Sequence, residues 1–186
     1  MKTDVQLILT RTKGDKLISE HRQPSRSYVL AMIDLFNAQA AQLTRTIKDT
    51  DGIDRSIPVF QGNWDIGAPA GTVLYGIVIG IGNTAVTIAN YQLENRCAEG
   101  TLSGQFNCGA VSVGVPTTSG SVRKFSVVRN YTNNSTGYTI VRECGIYCEG
   151  ASTPYYLCLI RDVLVTPQQV EIGQTLTVTY TIKVTV

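Results

Sequence analysis

The chain has 186 residues, of which 16 are basic and 14 are acidic, giving a net charge of +2. This balance excludes the concentrated basic face of a nucleic-acid-binding protein, and no apolar stretch approaches the ~20 residues that a membrane span needs. Charged residues make up only 16% of the chain, against about 25% in a usual soluble domain. Such a composition favours a subunit that covers much of its surface with neighbours over a freely diffusing enzyme.

Residues 1–60 are predicted to form an N-terminal arm or subdomain built as hairpin, helix and hairpin. The apolar run Val5–Leu9 leads into the turn Lys13–Lys16, and Leu17 and Ile18 return along a second strand. The first residues lack the long apolar run and the small-residue cleavage site of a secretory signal. We therefore expect a protein that is made and kept in the cytoplasm, or released by lysis.

The one helix that the sequence predicts spans about residues 25–43, with Ser25 as its N-cap. Its apolar side chains recur at three-and-four spacing and predict a single stripe that packs on a sheet. The members of this stripe are Tyr28, Val29, Met32, Ile33, Leu35, Phe36, Ala40 and Leu43.

A second, shorter hairpin is predicted across residues 45–60, with Asp51-Gly52 as its turn. Asp49, Asp51 and Asp54 place three carboxylates in six residues, and carboxylate oxygens are the ligands that Ca²⁺ prefers. The rest of a calcium-loop pattern is missing, so an ordinary Asp-Gly turn is favoured. Whether this turn also binds a cation stays open at this point.

Residues 61–186 are predicted to form a β-sandwich domain, because β-branched and aromatic runs alternate with turns at intervals of 8–12 residues. The clearest signal is at the end of the chain, where apolar residues alternate strictly with Thr or Lys from Thr175 to Val186. The predicted fold is mainly β: an antiparallel sandwich, Ig-like or jelly-roll, with an N-terminal β-hairpin and one α-helix.

A glycine-rich motif follows the apolar run Leu74–Ile79. Residues 80–85 read GIGNTA, which fits the G-x-G-x-x-A turn of dinucleotide-binding folds. That turn needs a helix after it, but Thr84, Val86 and Thr87 are β-branched and favour strand. We therefore interpret Gly80 and Gly82 as residues that let a strand end in a tight turn, and predict no cofactor.

The sequence has few side chains suited to catalysis or metal binding. His21 is the single histidine, so one base at most is available to a catalytic triad, and no nucleophile pairs with it in the sequence. We predict no catalytic residue and no metal site. The five cysteines are expected to be buried free thiols, and the alternative is that some pair as disulfides after leaving the reducing cytoplasm, including between subunits. They are Cys97, Cys108, Cys144, Cys148 and Cys158.

Three stretches within residues 73–186 follow one recognisable pattern. Arg129–Ser135 and Ile140–Tyr147 are similar to R-x-F-T-N-N-S followed by I-x-V-x-E-I-G-L-Y. Tyr155–Leu164 is similar to a strand Y-x-x-x-R-D-V, and Thr175–Ile182 to a terminal strand L-T-V-T-Y-T-I. In these stretches the chain resembles a group of tailed-phage virion proteins, and the resemblance implies a role in building the particle, without catalysis, in the head, the neck or the tail.

From this resemblance we expect a homo-oligomeric virion protein, assembled in the host cytoplasm, that contacts major capsid, portal, adaptor or tail proteins. It would act in capsid decoration, as a minor capsid protein or at the head–tail junction (neck or collar), without direct contact with nucleic acid or membrane. The alternative is a tail-fibre or baseplate component that binds a host receptor or glycan through loops 61–72, 113–120 and 132–137. The side chains predicted to lie at subunit interfaces are Trp64, Tyr155, Tyr156, Tyr180, Ile182 and Val184. For Trp64, Tyr155 and Tyr156 the alternative is a place in the core.

Overall fold

The computed structural model describes residues 2–25, 27–58, 64–150 and 155–185. These residues are mainly β, with antiparallel sheets and one α-helix, as predicted. The helix is α1 (Leu30–Ala41). The strands are β1 (Lys2–Lys13), β2 (Lys16–Ser25), β3 (Arg45–Lys48), β4 (Asp54–Ile57), β5 (Gly76–Gly80), β6 (Asn107–Cys108), β7 (Ser112–Val113), β8 (Thr117–Ser119), β9 (Val122–Thr132), β10 (Thr139–Glu149), β11 (Tyr156–Val170) and β12 (Thr175–Thr185).

Two antiparallel sheets enclose the core and form the predicted sandwich. The first sheet has the strand order β2-β1-β12-β9-β6, with β7 and β8 also paired to β9, and the second has the order β11-β10-β5. Side chains from both sheets join in one buried cluster. The first sheet contributes Leu7, Leu9, Val127, Tyr131, Leu176, Val178 and Tyr180, and the second contributes Ile77, Cys144, Ile146, Cys158 and Ile160.

The N-terminal hairpin forms as predicted, and its strands belong to the first sheet of the sandwich. β1 lies between β2 and β12, and pairs with β12 in an antiparallel register from Lys2↔Thr185 to Thr12↔Thr175. The two ends of the described chain are therefore neighbouring strands. The division of the chain at residue 60 stays a prediction.

The helix begins five residues later than predicted, and Ser25 is not its N-cap. Ser25 is the buried last residue of β2, and Val29 occupies the N-cap position without a side-chain hydrogen bond. The reason lies in residues 27–29, which pair with the outer edge of β11 through backbone hydrogen bonds to Leu159 and Arg161. This pairing keeps the backbone extended until Val29.

The prediction of a single apolar stripe on α1 is wrong. Leu35 is fully buried together with Ala31 and Ala38, whereas Ile33 and Phe36 are 61% and 62% exposed. Residues two positions apart, such as Ile33 and Leu35, point to different sides of a helix. The predicted stripe therefore combined residues from different sides of the helix. α1 has one apolar face in the core and another in solvent.

The alternation predicted for the last strand is confirmed from Thr175 to Tyr180, whereas residues 181–185 are all half-buried and Val186 lies outside the described residues. Leu176, Val178 and Tyr180 are all fully buried, and the threonines between them are half-buried on the other face. This is the period-two pattern of a strand with one face on the core. Beyond Tyr180 the apolar face continues with Ile182, which packs against the edge of the core.

Candidate functional site

The glycine-rich segment after β5 presents backbone N–H groups to carboxylates of the same chain. The N–H of Gly82 donates to Glu143 Oε1 at 3.2 Å, and those of Asn83 and Thr84 donate to Glu94 Oε2 at 2.7 and 2.8 Å. Such runs of N–H groups form anion-binding concavities in phosphate loops. Here the anions are two glutamates, and residues 81–87 form an irregular segment instead of the helix that a dinucleotide site requires.

Gly80 and Gly82 are needed for space, not for the tight turn predicted from the sequence, since neither has a positive φ. A Cβ added at Gly80 would lie 2.5 Å from the carbonyl oxygen of Asn95 and 2.6 Å from Glu143 Oε1. A Cβ at Gly82 would lie 2.5 Å from Glu94 Cβ and 2.6 Å from the same Glu143 oxygen. The glycines therefore let the backbone approach a buried carboxylate closely.

Glu143 on β10 and Arg161 on β11 form an ion pair in the interior, with side chains 0% and 1% exposed. Arg161 Nε donates to Glu143 Oε2 at 2.9 Å, and its other nitrogens donate to the side chain of Asn90 and the carbonyl of Thr84. Glu143 also accepts the N–H of Asn95 at 2.8 Å. Hydrogen bonds thus satisfy both charges and fasten the segment from Gly82 to Asn95 to the second sheet.

Two further buried polar side chains connect the sheets. Tyr180 on β12 donates its hydroxyl to Asp162 Oδ2 on β11 at 3.1 Å, and burial, with the Asp162 charge as a smaller cause, raises the pKa of Tyr180 well above its ordinary value. Arg129 on β9 is 1% exposed. Its guanidinium lies 5.4 Å from the ring centroid of Tyr131 and donates to backbone carbonyls of Pro69, Thr72, Ile77 and Gly109.

All five cysteines are buried free thiols in the structure. Burial is the main cause that raises the pKa of Cys97, Cys108 and Cys148, in each case to about 12. Burial also raises the pKa values of Cys144 and Cys158. Because the thiolate is the reactive form of cysteine, these thiols are unreactive in the native chain near neutral pH.

This burial predicts a loss of stability in alkali. The unfolded chain releases its thiol protons near pH ~8.5, whereas native Cys97, Cys108 and Cys148 keep theirs until about pH 12. The native state therefore binds more protons in this window, and the free energy of unfolding falls as the pH rises from ~9 to ~12. Denaturant midpoints measured by circular dichroism should fall steadily between pH 9 and 11 and change little between pH 7 and 8. Rapid labelling of native thiols by a disulfide reagent at pH 8 would contradict the prediction.

The acidic turn between β3 and β4 is held by its own hydrogen bonds. Asp49 Oδ1 accepts the N–H groups of Asp51 and Ile53, both at 2.9 Å, and Asp49 Oδ2 accepts Arg55 Nε at 2.6 Å. Burial alone would raise the pKa of Asp49, but the bonds from Arg55 and the two amides outweigh it and keep the pKa below its usual value. This confirms the Asp-Gly turn within the described part of the predicted hairpin, which ends at residue 58.

The six predicted interface side chains lie in different surroundings. Tyr155 and Tyr180 are buried, so their rings belong to the core instead of the surface. For Tyr180 the reason is the alternation of β12, which turns it inward with Leu176 and Val178. Trp64 is 37% exposed. The remaining three, which are half-buried, are Tyr156, Ile182 and Val184.

Trp64 and Ile182 both line an apolar cavity of about 570 Å³. Both sheets, the start of α1 and residues 64–67 surround it, and Asp65 is the one charged residue in its lining. Sequence reasoning found Tyr28 and Met32 as apolar helix residues but gave no signal that strands distant in the chain would complete a cavity around them. The other lining residues are Ile66, Gly67, Val113, Phe125, Ile146, Leu159 and Ile160.

Next to this cavity α1 exposes three large apolar side chains, which we call the outer face of α1. Leu30, Ile33 and Phe36 are 47%, 61% and 62% exposed, and their spacing of three residues places them next to one another on the helix. Single exposed apolar residues are common on protein surfaces, but a contiguous patch marks an interaction site. The outer face of α1 and the cavity together are the strongest candidate for such a site in the described chain.

The fold identifies the chain as a mainly-β sandwich protein. Comparison with protein-family models, with curated proteins and with solved structures found no match. In the described residues, no group of His, Cys, Asp or Glu side chains is arranged to hold a metal ion. No helix of those residues combines the length and the apolar character needed to cross a membrane.

Proposed function

We propose that this chain is a non-enzymatic structural protein of a tailed-phage virion. It acts in capsid decoration, as a minor capsid protein or at the head–tail junction, and assembles through contacts with other subunits. The observation that carries the proposal concerns the polar residues within the stretches that resemble this group. Glu143 contacts Arg161, and Asp162 contacts Tyr180, although each pair joins two separate stretches of the sequence.

These contacts matter because Thr- and Val-rich strands are common, and a likeness of composition alone does not require that their polar residues meet. In this fold Glu143, Arg161, Asp162 and Tyr180 all have partners inside the sandwich. Asn133 and Ser135 of the same pattern bond to each other at 2.7 Å and shape the turn before β10. The resembling stretches therefore pack as one structural set, which supports the proposal.

The surface supports a role in assembly. β2 forms one edge of the first sheet and pairs only with β1 among the described strands. Its last residues are covered, since the side chain of Gln23 bonds to the backbone of Val163 and Val165 on β11, so the open part of this edge is the exposed first half of β2. An open edge invites strand pairing with another chain. The outer face of α1 adds an apolar patch whose exposure in a lone monomer is unfavourable. Both features favour a subunit that is completed by neighbours.

One observation favours the tail-fibre or baseplate alternative. A shallow, polar hollow of about 400 Å³ has Asn83, Ser103, Tyr138 and Arg142 in its lining. Tyr138 is 58% exposed. An exposed aromatic ring beside a few convergent polar groups suits a polar ligand such as a glycan. The hollow lies apart from the outer face of α1 and shares no lining residue with the apolar cavity.

Immunogold labelling of purified phage particles tests the proposal. Particles from the culture that produces this chain should contain it by mass spectrometry, and antibodies against it should label the head or the neck in a regular pattern. Labelling confined to the distal tail tip would favour the receptor-binding alternative and contradict decoration. Particles that lack the chain altogether would overturn both.

A further inference from the structure

A projecting aromatic side chain and an apolar cavity lie side by side on α1. Met32 lines the cavity, and Phe36 follows four residues later, so both lie on one side of the helix. Four residues correspond to about 6 Å along a helix axis. Phe36 is 62% exposed. The projecting side chain of Phe36 and the cavity are thus about one helical turn apart.

We propose that a second copy of the chain docks on the outer face of α1, each copy inserting Phe36 into the apolar cavity of the other. The inference deepens the proposed function, since it names another copy as one of the subunits that the protein contacts. Because Phe36 and the cavity are adjacent, a two-fold arrangement of the copies allows each Phe36 to enter the cavity of the other copy at the same time. Such an isologous contact is closed and needs one self-complementary surface only.

The chemistry of the surface favours this occupant. Leu30, Ile33 and Phe36 are uncharged, and Asp65 is the one charge in the cavity lining, so a strongly charged partner would find no matching surface. The cavity volume of about 570 Å³ lies within the ~300–1,000 Å³ of pockets that enclose drug-sized ligands. It therefore has room for a benzyl side chain, and the chain itself presents one beside the opening.

The exposed area indicates a weak contact. The outer face of α1 has three side chains that are 47–62% exposed, which amounts to on the order of 350 Å² per copy at ~200 Å² for a large apolar side chain. The pair then buries about 700 Å² from these side chains, below the ~1,200 Å² of stable complexes. We therefore expect a weak, reversible dimer, which forms when subunits are crowded on a particle.

Sedimentation and fluorescence of the purified full-length chain test the dimer. Trp64 is the single tryptophan and lines the cavity, so its quenching by acrylamide should fall as concentration rises through the dissociation constant. Phe36→Asp should raise that constant at least tenfold. The matched control is Leu102→Asp, an exposed apolar residue outside the cavity and α1, which should change it less than twofold.

A mixing experiment distinguishes this contact from other modes of association. Val113 lies in the cavity lining and is 48% exposed, so Val113→Arg should block insertion of Phe36 without disturbing the core. Neither Val113→Arg nor Phe36→Asp should dimerise alone. Their mixture should form heterodimers, because one Phe36 still enters an unchanged cavity and the new aspartate meets the new arginine at the other.

A wild-type chain that stays monomeric at 500 µM overturns the inference. So does a dimer whose formation leaves Trp64 quenching unchanged, or a mixture of the two variants that does not associate. These results are independent of the proposed function: a dimer that forms as described, with no chain found on phage particles, overturns the function and leaves the contact standing.

Discussion

Replacing Glu143 with glutamine is expected to lower the free energy of unfolding by about 3–5 kcal/mol, the usual cost of breaking a buried ion pair. The substitution leaves the guanidinium of Arg161, which is 1% exposed, without its carboxylate. It also replaces an acceptor of the N–H groups of Gly82 and Asn95 with an amide that is half donor. Chemical denaturation followed by circular dichroism measures the loss.

Two controls separate this effect from a general effect of charge removal. Lys48 and Asp54 form an ion pair at 2.8 Å with side chains 45% and 62% exposed, and Asp54→Asn should cost less than about 1 kcal/mol because exposed pairs contribute little. The double variant Glu143→Leu with Arg161→Met should be more stable than Glu143→Gln, since it removes both charges together. If the double variant is as unstable as Glu143→Gln, the loss of stability comes mainly from the hydrogen bonds of the ion pair and not from the unpaired charge of Arg161.

The sequence predicts the fold class well because the relevant signals are local. Alternation from Thr175 onward and the hairpin before Pro24 each depend on residues that are close in the chain. The period of a strand and the chemistry of a turn are properties of such short segments. These features therefore agree with the structure almost residue by residue.

The site depends on contacts between distant segments, and no local pattern in the sequence measures such contacts. Glu143 and Arg161 meet because the register of β10 and β11 shifts between Val141 and Glu143, which places Gly145 opposite Arg161. Shifts of this kind have no signature in composition or spacing. The same holds for α1, where the choice of the buried face depends on the strand that covers it.

The glycine motif lies between these cases. Its residues form a backbone that gathers N–H groups around anions, but these anions are the carboxylates of Glu94 and of Glu143, about sixty positions later in the chain. Local sequence specifies the concavity, and the tertiary fold specifies what fills it. A motif of this type therefore indicates a nucleotide site only when no side chain of the protein already accepts the hydrogen bonds of its backbone N–H groups.

Replacing Gly80 with alanine is expected to lower the free energy of unfolding by about 3 kcal/mol, combining ~1–3 for overpacking with ~1–3 for disturbed buried hydrogen bonds. The new methyl carbon would lie 2.5 Å from the carbonyl oxygen of Asn95 and 2.6 Å from Glu143 Oε1. The first of these is backbone and cannot move without displacing the segment that the ion pair fastens. For a chain of this size the melting temperature should fall by roughly 6–12 °C.

Gly137 provides the matched control, since a Cβ there meets no atom within 4 Å and its φ lies outside the left-handed region. Gly137→Ala should therefore leave stability unchanged or raise it by about 0.4–1 kcal/mol, through the lower entropy of the unfolded chain. The two alanine variants thus have opposite expected signs from one chemical change. If Gly80→Ala has the same melting temperature as the wild type, the close approach of β5 to Glu143 does not require glycine. The role assigned to the glycine motif is then wrong.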